Sequence, residues 1–289
     1  MNLAEKMFSR GTKSCPIRSD CRKESDRRYL DSCSNVTGKF SLSDETMPKN
    51  GSNGLPCAAK RPTGRRMANE MIARRLAAEF IGTAMLLCSV VGSGIMAERL
   101  AGGNVAVALL ANTIATGAAL FALILMFAPI SGAHFNPVVS LTALGQKEID
   151  WRQALFYIAA QITGALIGVL IANLMFDLPA FFVSTKVRTD FGQWLGEFIA
   201  AFGLVGVVVS VSRQHKILPT ALAVAAYITA AYWFTSSTSF ANPAVTVARS
   251  LSDTFTGIRP VDVPMFIVSQ ILGAAVAAFV FNWLVPKKV

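Results

Sequence analysis

The chain predicts an all-α membrane protein with six transmembrane helices and two re-entrant half-helices in two inverted repeats. Three observations carry that expectation. Of 289 residues, 53% are hydrophobic and only 15% charged, with a mean hydropathy of +0.49, so there is too little charge to cover a soluble surface of this size. The apolar residues fall in six long runs, each near the ~20 residues needed to cross hydrocarbon. Two tripeptides, Asn136-Pro137-Val138 and Asn242-Pro243-Ala244, lie embedded in apolar sequence.

The expected spans are Ile72 to Met96, Val105 to Ala128, Ala154 to Met175, Trp194 to Val211, Leu218 to Phe234 and Val263 to Val285. They are apolar on all sides, whereas the helices of a soluble bundle carry a polar stripe. The polar N-terminus is too long for the n-region of a cleaved signal peptide. Gly82, Gly117, Gly164, Gly168, Gly196 and Gly273 let the spans approach closely and read as packing residues.

Each tripeptide reads as a helix start, because Asn is a favoured N-cap and Pro suits the first helical position. A helix that begins within a membrane leaves N–H groups unpaired, which is tolerated only where they line a water-filled cavity. Two such starts in equivalent halves of the chain point to a pore.

Basic residues set the orientation. Arg61, Arg65, Arg66, Arg74 and Arg75 crowd the approach to span one, Lys147 and Arg152 lie between spans two and three, Arg213 and Lys216 lie between four and five, and Lys287 and Lys288 follow span six. These places share one side, which the positive-inside rule makes cytoplasmic, with both termini there. On the opposite side Glu98 offsets Arg99, and Asp177 and Asp190 offset Lys186 and Arg188. The net charge of +10 is mainly this signal plus the basic N-terminus, and no nucleic-acid partner is expected.

Residues 1–70 are different, holding four of the five cysteines and fourteen of the twenty-seven Lys and Arg without apolar periodicity. They read as a disordered cytoplasmic tail, with the channel domain over 71–289 and its repeats at about 72–175 and 191–285. Cys15, Cys21, Cys33 and Cys57 lack close C-x-x-C pairs, so no zinc site is expected; a thiol site for a soft metal or metalloid stands as an alternative. A true start at Met67 or Met71 is another.

The repeat is visible in the residues. Ala78-Glu79-Phe80-Ile81 recurs as Gly196-Glu197-Phe198-Ile199, and Gln161-Ile162-Thr163-Gly164-Ala165 as Gln270-Ile271-Leu272-Gly273-Ala274. With three spans per copy, the second must enter the membrane from the opposite side, and the two short helices then meet N-terminus to N-terminus near the midplane. Both N-termini carry partial positive charge, a barrier to cations at the pore centre. Glu79 and Glu197 are intramembrane acids and functional by default; a proton relay and a structural role are both open, the structural one favoured.

On these motifs the chain resembles the major intrinsic proteins, the aquaporin and aquaglyceroporin family, over about Ile72 to Val285. The resemblance implies a homotetramer with a pore in each subunit, no cofactor, and no catalytic or metal site. It places the side-chain amides of Asn136 and Asn242 at the midplane, among Asn136, Pro137, Val138, Asn242, Pro243 and Ala244. It gives carbonyl ladders at Gly132, Ala133, His134 and at Thr238, Ser239, Phe240. Glu79 and Glu197 then hold the re-entrant loops, and His134 fixes its loop rather than a metal.

The chain departs from the family at the outer constriction. Most members have an Arg three residues after the second Asn, where Val245 stands here. Counting along the family pattern puts the other filter positions at Thr116, Ala230 and Ser239, a set that is small and uncharged. Thr246 replaces the Asp of glycerol facilitators. Such a filter resembles a bacterial subgroup found with arsenic-resistance genes. The permeants expected are water, polyol-sized solutes, and arsenous acid or methylated arsenicals. A plain water and glycerol channel and a weakly conducting structural member are the alternatives; no nucleotide loop, metal cluster or nucleophile–base set favours an enzyme. Arg249, four residues after Val245, is expected at the surface or among lipid headgroups, with a displaced filter Arg as the sharper alternative.

Overall fold

The computed structural model describes residues 64–213 and 216–286, with side chains from Glu70 onward. The chain forms α1 (Gly64–Leu100), α2 (Val105–Ser131), α3 (Pro137–Gly145), α4 (Trp151–Met175), α5 (Phe191–Ser212), α6 (Ile217–Phe234), α7 (Pro243–Arg249) and α8 (Val263–Leu284), with a 3₁₀ turn at Pro260–Asp262 before α8. Among the described residues, six of these are long and apolar enough to span a bilayer, and they coincide with the six expected spans. The two short ones, α3 and α7, begin at the prolines of the two tripeptides. Residues 1–63 of the expected tail, with its four cysteines, lie outside the described residues. Helix α1 begins at Gly64, a few residues before the expected spanning domain: the run from Arg65 to Arg75 is rich in helix-forming Ala, Arg, Met and Glu.

Helix starts follow from local chemistry. The side chains of Asn104, Asp150 and Asp190 accept the backbone N–H three residues on, capping α2, α4 and α5. In α3 and α7 the caps are Asn136, accepting Val138 N–H at 3.0 Å, and Asn242, accepting Ala244 N–H at 3.0 Å.

The packing is a pseudo-twofold copy of itself. Helix α1 packs on α2 and α4 as α5 packs on α6 and α8, while α7 lies against α4 as α3 lies against α8. Each half-helix therefore contacts the opposite repeat, and this interlocks the halves. Two glycines in equivalent places of the repeats allow close helix crossings. A Cβ at Gly164 would strike the carbonyl oxygen of Phe80, and one at Gly273 that of Phe198. The outer surface is apolar, with Ile114, Leu155, Phe156, Leu222 and Phe279 exposed, as suits lipid or a neighbouring subunit. Trp151, Trp233 and Trp283 are exposed near helix ends, where a bilayer places its aromatic belts.

Two carboxylates hold the re-entrant loops. Glu79 is fully buried in α1. Its Oε1 accepts His134 N–H at 3.0 Å and the Ser131 hydroxyl, and its Oε2 accepts Phe135 N–H at 2.8 Å and the Gln161 amide. Glu197, fully buried in α5, accepts Phe240 N–H and Ala241 N–H, each at 2.8 Å, and the Gln270 amide at 2.6 Å. Gln161 also donates to Ser140, and Gln270 to Thr246, so each glutamine ties its glutamate to a half-helix. The backbone they restrain is unusual: Ala133, Phe135, Thr238, Ser239 and Ala241 all have φ between 49° and 61°, conformations costing about 1–3 kcal/mol each for non-glycine residues. Each of the four carboxylate oxygens accepts at least one hydrogen bond, the arrangement that the structural role calls for.

Two expectations follow. Gly164→Ala and Gly273→Ala should each destabilise the folded protein by about 1–3 kcal/mol through overpacking, measured by unfolding in detergent, whereas Gly145→Ala, in open space, should change little. Glu79→Leu and Glu197→Leu leave loop N–H groups unpaired, at about 1–3 kcal/mol for each. Their folded yield should fall well below that of the Gln variants, which keep an acceptor.

Candidate functional site

Between the helices lies one continuous cavity of about 300 Å³, with both asparagines in its wall. The two loops exchange hydrogen bonds where the half-helices meet. Asn136 Nδ2 donates to Ala241 O and Asn242 Nδ2 donates to Phe135 O, each at 2.8 Å. Each asparagine thus caps its own helix through Oδ1 and grips the other repeat through Nδ2. Pro137, Val138, Pro243 and Ala244 are buried behind them and do not line the cavity, which confines the expected midplane contribution to Asn136 and Asn242.

Gly132, Ala133 and His134 line the cavity on one side of the junction, and Ser239 and Phe240 on the other; Thr238 does not. The carbonyls of all six accept no protein hydrogen bond among the described residues, which leaves them as acceptors for a solute or water. The left-handed residues of both loops make this possible, since a helix or sheet would have consumed those carbonyls. His134 is fixed by Ser140, 3.0 Å from its Nδ1, and by the edge of Tyr157, whose hydroxyl donates to Ser131 O.

Towards one end, Gln146, Glu148, Ser212 and Thr220 line the cavity. Towards the other, Thr116, Ser239 and Val245 line it as expected. The fourth expected filter residue does not: Ala230 is exposed on the outer face of α6. The cavity face of that helix runs Thr220, Val224, Ile228 and Tyr232, a spacing of four that stacks side chains on one face. Residue 230 is two positions away and points roughly opposite. Tyr232 lines the cavity instead, with its hydroxyl 3.3 Å from Thr116 Oγ1. An aromatic residue therefore stands where only small side chains are expected. The Ser239 hydroxyl is buried with no protein partner among the described residues.

The expectation for Arg249 is also overturned. It is 2% exposed rather than at the surface, and it lines the same cavity as Val245, one turn earlier on α7. Its Nε donates to Thr256 O, and its guanidinium sits over the Phe240 ring, 3.4 Å from the centroid. A second buried arginine, missed in the sequence, meets the same ring: Arg188 lies 4.8 Å from that centroid and donates to Gly257 O and Ser237 O. Asp177 and Asp190 do not pair with it; Asp190 is engaged at the start of α5. Nothing in the local sequence around Arg188 marks it as buried, because the loop that holds it is ordered by contacts with distant segments, chiefly the one after α7.

Comparison with known proteins fits this geometry. The profile of the major intrinsic protein family matches residues 66–219 and 198–289. The chain is 51% identical over 213 residues to the aquaglyceroporin AqpS of Rhizobium meliloti, covering 74% of this chain and 91% of that protein. It is 28% identical over 244 residues to the probable aquaporin AqpM of Archaeoglobus fulgidus, covering 75% and 98%. The crystal structure of the aquaglyceroporin from Plasmodium falciparum superposes with a TM-score of 0.57 at 21% identity, covering 74% of this chain and 97% of that one, and shares the fold. With paired Asn-Pro half-helices, matching glutamate anchors and a family match across both repeats, the chain belongs to the major intrinsic protein family.

Proposed function

We propose that the protein is a passive channel for water and small neutral solutes, of the aquaglyceroporin type. The observation that carries this reading is a cavity with the capping asparagines of both half-helices in its wall. Free carbonyls and the two asparagines offer successive hydrogen bonds, so a neutral solute exchanges its hydration without large cost. A cation meets the partial positive charge of the helix N-termini instead. In this reading Thr116, Tyr232, Ser239 and Val245 form the outer constriction. Relatives of this family are channels.

Polyol-sized solutes are the substrates we infer, because Thr116, Ser239 and Val245 leave one side of the constriction free of bulk. Arsenous acid belongs with them: it is neutral at physiological pH and displays hydroxyls as a polyol does. Methylated arsenicals are partly apolar, and Val245 and Ile228 suit them. The AqpS likeness supports a polyol-sized permeant. We further infer a homotetramer in the cell membrane with both termini cytoplasmic; the exposed apolar faces and the charge pattern of the loops support this.

The test is a solute panel in proteoliposomes: water, glycerol, urea, arsenous acid and methylated arsenicals, followed by light scattering or tracer uptake. Flux of glycerol and arsenous acid above that of empty vesicles, unaffected by an uncoupler, is expected. Flux equal to that of empty vesicles would favour the structural member instead. Asn136→Ala and Asn242→Ala should each abolish most of that flux, since each removes a cap of about 1 kcal/mol together with a bond between the loops.

A further inference from the structure

The family pattern places a charged residue at the constriction, and Val245 leaves that position apolar. The charge has not left the cavity. Arg249 stands one turn further along α7, on the same face as Val245, and both line the cavity. Its Nε is committed to Thr256 O, and the ring of Phe240 supports the plane of the guanidinium. Neither Nη1 nor Nη2 has a protein hydrogen-bond partner or a carboxylate within 4 Å among the described residues. Neither is sealed off as a buried unpaired atom either, so their N–H groups are presented to the cavity.

We propose that Arg249 is the specificity-determining cation of the outer constriction, its Nη1 and Nη2 groups donating to hydroxyl or carbonyl oxygens of passing neutral solutes while its charge turns cations back. This rests on the channel reading above. Compared with an arginine at position 245, the charge sits one turn farther out, which leaves room beside Val245 for a solute larger than water. Arg188 reinforces it from behind the same ring without offering free donors in the same way, since its Nε and Nη1 hold backbone carbonyls. The positive field reaches the adjoining loop. Lys186 is pushed down to about 8, first by burial and then by repulsion from Arg188 and Arg249.

The experiment compares the parent with Arg249→Gln, Arg249→Lys and the double variant Val245→Arg/Arg249→Gln in proteoliposomes. Water, K⁺ and a polyol series from glycerol upward are measured in the same preparations. Arg249→Gln removes the charge and keeps an N–H donor on a shorter side chain, and should raise the K⁺-to-water permeability ratio by about tenfold or more while flattening the polyol ranking. Arg249→Lys should keep K⁺ out and still change the polyol ranking, because an ammonium lacks the planar fork. The double variant should restore K⁺ exclusion with a smaller solute cut-off. An assembled Arg249→Gln channel with the K⁺ leak and polyol ranking of the parent would overturn the assignment. If that variant does not assemble, Arg249→Lys decides: parental polyol ranking overturns the proposal, altered ranking with K⁺ excluded supports it. Parent vesicles no more permeable than empty ones would defeat the channel reading itself, and the proposal with it.

Discussion

Backbone N–H groups placed inside a membrane need partners, and two buried carboxylates supply them. Glu79 and Glu197 each bind two consecutive loop N–H groups and a glutamine that in turn holds a half-helix. Without these acceptors, consecutive residues with positive φ would have no reason to persist in a low-dielectric interior. A carboxylate suits the task because its two oxygens accept several bonds at once, and bonds to an ionised acceptor are the strong ones.

The pore follows from the same restraint. A loop held in the left-handed region turns N–H groups to the glutamate and leaves the carbonyls of residues 132–134 and 238–240 unclaimed by protein among the described residues, so one interaction builds the anchor and the acceptor ladder together. The asparagines complete the junction. Each uses its oxygen to start one helix and its amide to bind the loop of the other repeat. Capping, interlocking of the two halves and the chemistry at the centre of the cavity are therefore not separable properties of Asn136 and Asn242.

Phe240 joins this frame to the outer constriction. Its backbone N–H is held by Glu197, and its ring carries both Arg188 and Arg249. The guanidinium that lines the cavity is thus referenced, through one residue, to a carboxylate in α5. Tyr232 reaches the same region from α6 and touches Thr116. The cavity wall here is consequently a mixture of small, aromatic and cationic groups drawn from four segments of chain.

Much of this was legible in the residues alone. Hydropathy determined the six spans, since length and apolarity decide which helices a bilayer accepts. Asn-Pro pairs within apolar sequence determined the half-helices, and the recurrence of Glu79 with Gln161 as Glu197 with Gln270 determined the repeat. These are local or periodic signals. The constriction is not. Ala230 was placed by counting back from Asn242, but the rotation of α6 about its axis is set by packing, and a shift of two positions turns one face for the other. Arg249 read as a surface residue because charge usually seeks water, yet its carbonyl partner Thr256 and its ring partner Phe240 are brought to it only when the loops close. Arg188 lies far along the chain from Phe240, Ser237 and Gly257, and their meeting is a fact of tertiary structure. The sequence by itself determined the membrane scaffold and the centre of the cavity, where each residue acts on its own helix start; only the tertiary structure decided the filter, where every residue depends on how separate segments are turned toward one another.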